Sequence, residues 1–238
     1  MYDPSKSVWY NPAIEYMFNT EINEWDIRDA GFSIIKQFKL LPDNEIERLE
    51  LMGKGLDRHK AIGCIERDNK DFAKELSRKF GEVRKIFIEY NHINPDDDII
   101  SVKKDAIFMI GNPKRSKFGL VEFRPKNTYS SYLRFSNINN LEIYYRGVEM
   151  DIKGMSDVSV RVHRLYMYEF LRCIIGMLET KNPSIRRYIM NFIMDYKAFN
   201  LEEQFYIEFN SLSRERNPLF NFQKVIVPLI DLINKEVQ

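Results

Sequence analysis

The chain has 238 residues, enough for one large domain or two small ones, and its aliphatic and aromatic content suffices for a packed core. Its 36 basic and 35 acidic side chains leave a formal charge of +1, which excludes a global drive toward nucleic acid or an anionic membrane and confines any polyanion site to a local patch. Two isolated cysteines, Cys64 and Cys173, exclude a disulfide framework and a thiolate zinc site; with no apolar run near the roughly 18 residues of a membrane span and no signal-peptide pattern at the N-terminus, a cytoplasmic protein without a membrane partner is expected.

Residues 21–28 place Ile22, Trp25 and Ile27 among charges, the pattern of a short strand, and a helix is predicted over 30–38. Leu41-Pro42-Asp43 ends it, and Asp43 or Asn44 can cap a second helix carrying Ile46, Leu49 and Leu51. Phe72, Leu76, Phe80, Val83, Phe87 and Tyr90 recur at steps of three or four, which puts them on one face of a long helix.

Asn94-Pro95 breaks that helix. Residues 99–102 and 106–110 then read as the two strands of a hairpin with Asp105 at its tip. Short aromatic-rich strands are predicted over 118–123, 129–135, 141–145 and 149–152. The remainder reads as helical: one helix through Leu178 from about 157, one opened by Pro183-Ser184, and one over 222–235 that Pro228 kinks or delays. The expected class is α+β, with residues 1–156 as one domain and 157–238 as a helical C-terminal region, the weak boundary being Lys153-Gly154-Met155-Ser156.

Two aspartates stand out. Asp26 ends a strand that runs into a helix, which presents its carboxylate at a sheet edge; Asp105, on a tight turn, can approach from neighbouring strands. Two carboxylates and a triphosphate form a plausible hard-oxygen set for Mg²⁺ (or Mn²⁺), and two such ions roughly 3.5 to 4 Å apart serve nucleotidyl transfer. An ordinary structural use, with Asp26 as a helix cap and Asp105 as a turn former, is equally open.

At these residues the chain resembles the palm of template-directed polymerases. Asp26-Ile27-Arg28-Asp29-Ala30 with Phe32 is similar to the first palm motif of reverse transcriptases and, more loosely, of family A DNA polymerases; residues 100–111, with Lys104-Asp105-Ala106 at the turn, resemble the third. The overall layout is also similar to short bacteriophage proteins. The resemblance implies a small antiparallel palm-like sheet, with a helical fingers-like segment over about 40–92 inserted between its first strand and the hairpin. It implies Asp26 and Asp105 as metal ligands, Asp29 as a third acidic group, and nucleoside triphosphate and nucleic acid as ligands. Two departures stand beside it. Ala106 occupies the place of a second hairpin acid, which Asp29 or Glu24 would have to replace, and Gly31 lies where reverse transcriptases carry a bulky side chain facing the ribose.

Lys54, Arg58, Lys60, Arg67 and Lys70 crowd between the two motifs. On a helix, Lys60, Gly63, Arg67 and Lys70 fall on one side, so Arg58, Lys60, Gly63, Arg67 and Lys70 are the candidates to meet a triphosphate, a solvated basic helix being the alternative. A second basic cluster, Lys114, Arg115, Lys117, Arg124 and Lys126, follows the hairpin. No paired histidines, nucleophile elbow, Walker loop or dinucleotide-binding glycine pattern occurs. Two further readings remain: a non-catalytic palm-like protein that binds nucleic acid or a host protein, which Ala106 favours, and a structural or assembly protein.

Overall fold

Alternation in residues 21–28 does not mark one wet face and one dry face: all six residues of strand Ile22–Ile27 are buried. Side chains two apart share a face. Trp25 and Ile27 enter an apolar cluster with helical residues, while Ile22, Glu24 and Asp26 share the opposite face. The computed structural model describes residues 2–4, 6–137, 140–153, 164–201 and 223–236.

In chain order the elements are β1 (Val8–Tyr10), β2 (Tyr16–Met17), β3 (Ile22–Ile27), α1 (Ala30–Phe38), α2 (Asp43–Leu51), α3 (Leu56–Asp68), α4 (Lys70–Tyr90), α5 (Pro95–Asp98), β4 (Ile99–Lys103), β5 (Ala106–Ile110), β6 (Lys117–Phe118), β7 (Val121–Tyr129), β8 (Ser131–Phe135), β9 (Leu141–Arg146), β10 (Glu149–Lys153), α6 (Arg164–Glu179), α7 (Ile185–Lys197) and α8 (Gln223–Glu236). The class is α+β. Instead of one small sheet, the strands form a six-stranded sheet in the order β1-β4-β5-β3-β7-β6 and a four-stranded sheet in the order β10-β9-β8-β2.

The first compact unit comprises residues 1–14 and 21–128. Its core gathers Phe72, Leu76, Phe80, Val83 and Phe87 of α4 against Trp25, Ile27, Ile107, Met109 and Phe123 of the sheet, as the helical spacing requires. Asn69 separates α3 from α4 and caps the latter, its side-chain oxygen accepting from the Phe72 N–H at 3.0 Å. The basic helix expected through Lys70 is therefore two helices. At the start of α2 the cap position is Pro42, and Asp43 is already helical, in the first turn where the helix dipole favours an acid.

The second unit comprises residues 15–20 and 129–238. Leu133, Ile143, Tyr145 and Met150 pack with Phe170, Leu171, Ile174, Ile175 and Leu178 of α6, Ile189 of α7 and Leu229 of α8. Pro228 lies inside α8. The sequence boundary at 154–156 and the helix start expected over 157–163 lie outside the described residues, whereas the compact units divide between Thr128 and Tyr129, within β7. The segment expected as one strand over 118–123 is the β6–β7 turn: Gly119 takes φ +65 there, and the Leu120 N–H donates to the Gln37 side chain at 2.7 Å. No helix among the described residues is long and apolar enough to cross a membrane.

Candidate metal centre

Strand pairing brings the two aspartates together. In the antiparallel register of β3 and β5, Asp26 stands opposite Ala106, so Asp105 is the adjacent turn residue, and the Ile27 N–H donates to the Asp105 carbonyl at 2.9 Å. On the other side of β3, Arg28 N–H bonds to the Glu122 carbonyl and the Thr128 hydroxyl donates to the Asn23 side chain, which sets β7 antiparallel to β3 and lays Lys126 alongside the acids. The Lys126 ammonium lies 3.4 Å from Glu24 and 3.6 Å from Asp26.

Electrostatics at Asp26 are unfavourable to its charged form. Burial, leaving it 9% exposed, is the largest influence raising its pKa, and the charge of Asp105 adds to it; Lys126 opposes them without cancelling them. For Lys126, burial pulls the pKa down, but attraction to Glu24 and Asp26 outweighs it and the net displacement is upward. Glu24, 1% exposed, also accepts from the Asn127 amide at 2.6 Å. Three carboxylates thus gather near one ammonium, in a place where ordinary packing would put apolar side chains.

The hairpin tip is held from beneath. β4 and β5 pair Lys103 with Ala106, leaving Lys104 and Asp105 as a two-residue turn, and neither has the positive φ that such turns favour. Arg84 of α4, fully buried, donates to the Lys104 carbonyl and, at 2.8 Å each, to the carbonyls of Pro4 and Lys6. A buried guanidinium with carbonyl rather than carboxylate partners places positive charge directly behind the turn that carries Asp105. Nothing in the local sequence of α4 distinguishes Arg84 from its exposed neighbours except its spacing, four residues after the buried Phe80 and three before the buried Phe87.

Other expected site residues lie elsewhere. The Asp29 carboxylate is held by the Arg58 guanidinium, itself buried and stacked 4.2 Å from the centre of the Phe32 ring. Asp29 caps α1 in a left-handed conformation (φ 51) but makes no side-chain cap bond, which fits a side chain committed to Arg58. Lys60, Gly63 and Arg67 share an exposed stripe of α3, with Arg67 paired to Asp68, and Lys70 begins α4. Gly31 packs on Ile62: a Cβ there would meet the Ile62 side chain at 3.5 Å.

In chemical terms, Asp26 and Asp105 supply hard oxygen donors suited to Mg²⁺ or Mn²⁺, in an environment that rewards a cation. Lys126 presently supplies that positive charge, so a metal would compete with its ammonium. Among the described residues no group of three or more His, Cys, Asp or Glu side chains has a geometry ready to hold a metal ion. A family model described as "Bacteriophage PBS1 gene 130 protein" matches residues 2–237. No curated protein matches the chain.

Proposed function

Since the chain belongs to the Bacteriophage PBS1 gene 130 protein family, we propose that it is a phage-encoded metal-dependent nucleotidyltransferase of palm type, with Asp26 and Asp105 as its metal ligands. The observation that supports this reading is the convergence of Asp26 and Asp105 across the β3–β5 pair, with Asp26 desolvated and facing another negative charge. Such a pair costs stability unless it serves a cation. Bound Mg²⁺ would supply Lewis acidity toward a phosphoryl oxygen and lower the pKa of an attacking hydroxyl. The chain's own residues hold the two carboxylates in place, Asp26 through the strand register and Asp105 through the turn that Arg84 supports. Lys126, 47% exposed on its side chain, can swing away from Asp26 while Asn127 keeps Glu24 bonded.

Mn²⁺ binding tests the proposal. Titration followed by electron paramagnetic resonance should show Mn²⁺ bound by the natural chain and lost in Asp105→Asn, with Mg²⁺-dependent nucleotide incorporation lost in the same variant and its fold intact. An Asp105→Asn protein that binds Mn²⁺ as well as the natural chain would refute the metal-ligand assignment.

One observation favours a second reading. With Ala106 opposite Asp26 and Lys126 already offsetting part of the acids' charge, the same arrangement serves a palm-like protein that binds nucleic acid or a host protein without catalysis. That reading expects no Mn²⁺ binding in the natural chain.

A further inference from the structure

A pocket of about 360 Å³ opens beside the first turn of α1, where four cations from four parts of the chain converge: Arg28 at the end of β3, Lys36 of α1, Lys54 of the α2–α3 loop and Lys117 of β6. Two acids also line it, and both are already neutralised. Glu122 pairs with Arg28 at 3.2 Å, and Asp29 is held by Arg58. Lys36 reaches Glu50 at 2.6 Å outside the lining. Among the described residues, Lys54 and Lys117 have no ion pair, so the pocket carries a surplus of positive charge.

The walls are built to keep that surplus. Bringing unpaired lysines from distant parts of the chain to one concavity is unfavourable, and an anion converts the cost into binding. Lys54 sits between Gly53, at φ +68, and Gly55, and added Cβ atoms at either glycine would meet nothing within 4 Å, so the loop leaves open room beside the lysine. Lys117 is fixed by the β6–β7 turn, which Gln37 of α1 grips through the Leu120 N–H. The first turn of α1 contains no acidic residue and receives no side-chain cap, so the positive end of its dipole faces no further negative charge in that turn.

We propose that this pocket binds phosphate groups, with Lys54 and Lys117 as the principal contacts and the ion-paired Arg28 and Lys36 lining the same pocket. Lysines act as point charges on phosphate, and several converging cations suit a polyanion better than a single carboxylate. Arg28 lies two residues from Asp26, a span of at most about 7 Å along the chain, so a phosphate ligand here would extend toward the acid pair. The residues differ from the exposed Lys60, Gly63 and Arg67 stripe of α3. The proposal goes beyond the metal reading and is tested without metal, so each can fail alone.

Isothermal titration of the full chain with inorganic tripolyphosphate, in buffer free of divalent cations, reads the site directly. Lys54→Ala/Lys117→Ala should weaken binding about tenfold or more, whereas Lys60→Ala/Arg67→Ala should leave it unchanged, and Asp26→Asn/Asp105→Asn should retain it. A parallel titration with a short oligothymidylate separates the sources of phosphate: strand binding that needs Lys54 and Lys117, without tripolyphosphate binding, assigns the pocket to a phosphodiester backbone. Absence of binding by both ligands would overturn the proposal, as would a double lysine variant that binds both like the natural chain.

Discussion

The folded-state pKa values of Asp26 and Lys126 are both raised, so each makes stability fall as pH rises, in its own window. A carboxyl whose folded pKa is raised binds its proton more tightly in the folded state. Its ionisation therefore carries no penalty below the ordinary aspartate range and the full penalty above the raised value. Asp26→Asn should accordingly raise the thermal midpoint at pH 7 while removing Mn²⁺ binding, and the gain should shrink toward pH 4; melting curves across that range check it. A gain of stability on loss of a functional charge is the usual trade at active sites. For Lys126 it is the charged form that the fold favours: its contribution is complete below the ordinary lysine range and is lost as pH rises through its raised pKa. Lys126→Met at neutral pH should cost about 1 to 2 kcal/mol, between the ranges for an exposed and a buried pair because the lysine is half exposed; urea denaturation measures it. Arg84→Met, which strips three carbonyls of a buried donor, should cost about 3 kcal/mol by the same measurement. The placement of Asp26 near a strand end and of Asp105 at a hairpin tip was legible because both are local features. The roles of Arg84 and of the Asp29–Arg58 pair were not, since a guanidinium's destination depends on tertiary packing.

At the scale of the element, spacing and punctuation carried most of the information. The apolar repeat of α4, the Leu41-Pro42 stop and the turn at Lys104-Asp105 each reflect a constraint that acts within a few residues. Strands β1 and β2 escaped notice for the opposite reason: at three and two residues they have no period of their own and exist by pairing with β4 and β8. The break between α3 and α4 rests on one cap. Asn69→Ala should cost about 1 kcal/mol and lower the far-ultraviolet helical signal only slightly at low temperature. The β6–β7 turn is less forgiving. At Gly119 an added Cβ would lie 2.5 Å from the Gln37 side chain in a left-handed backbone, so Gly119→Ala should lower the melting temperature more than Asn69→Ala does.

Among the described residues each compact unit has an apolar cluster of its own, and both tryptophans, Trp9 and Trp25, belong to the first. Tryptophan fluorescence therefore reports the first unit, while circular dichroism reports helices of both. Leu76→Ala should cost about 2 to 5 kcal/mol and shift the fluorescence midpoint strongly. Ile174→Ala, in the second cluster, should shift the circular dichroism transition more than the fluorescence one.

Because residues 15–20 leave the first unit to place β2 on the edge of the second sheet, neither unit is a continuous stretch of chain. During synthesis Tyr16 emerges early, but its partner Leu133 leaves the ribosome only after the entire first unit has been made. β2 therefore waits as an unpaired strand until β8 is made, and it can pair with β8 before β9 and β10 exist.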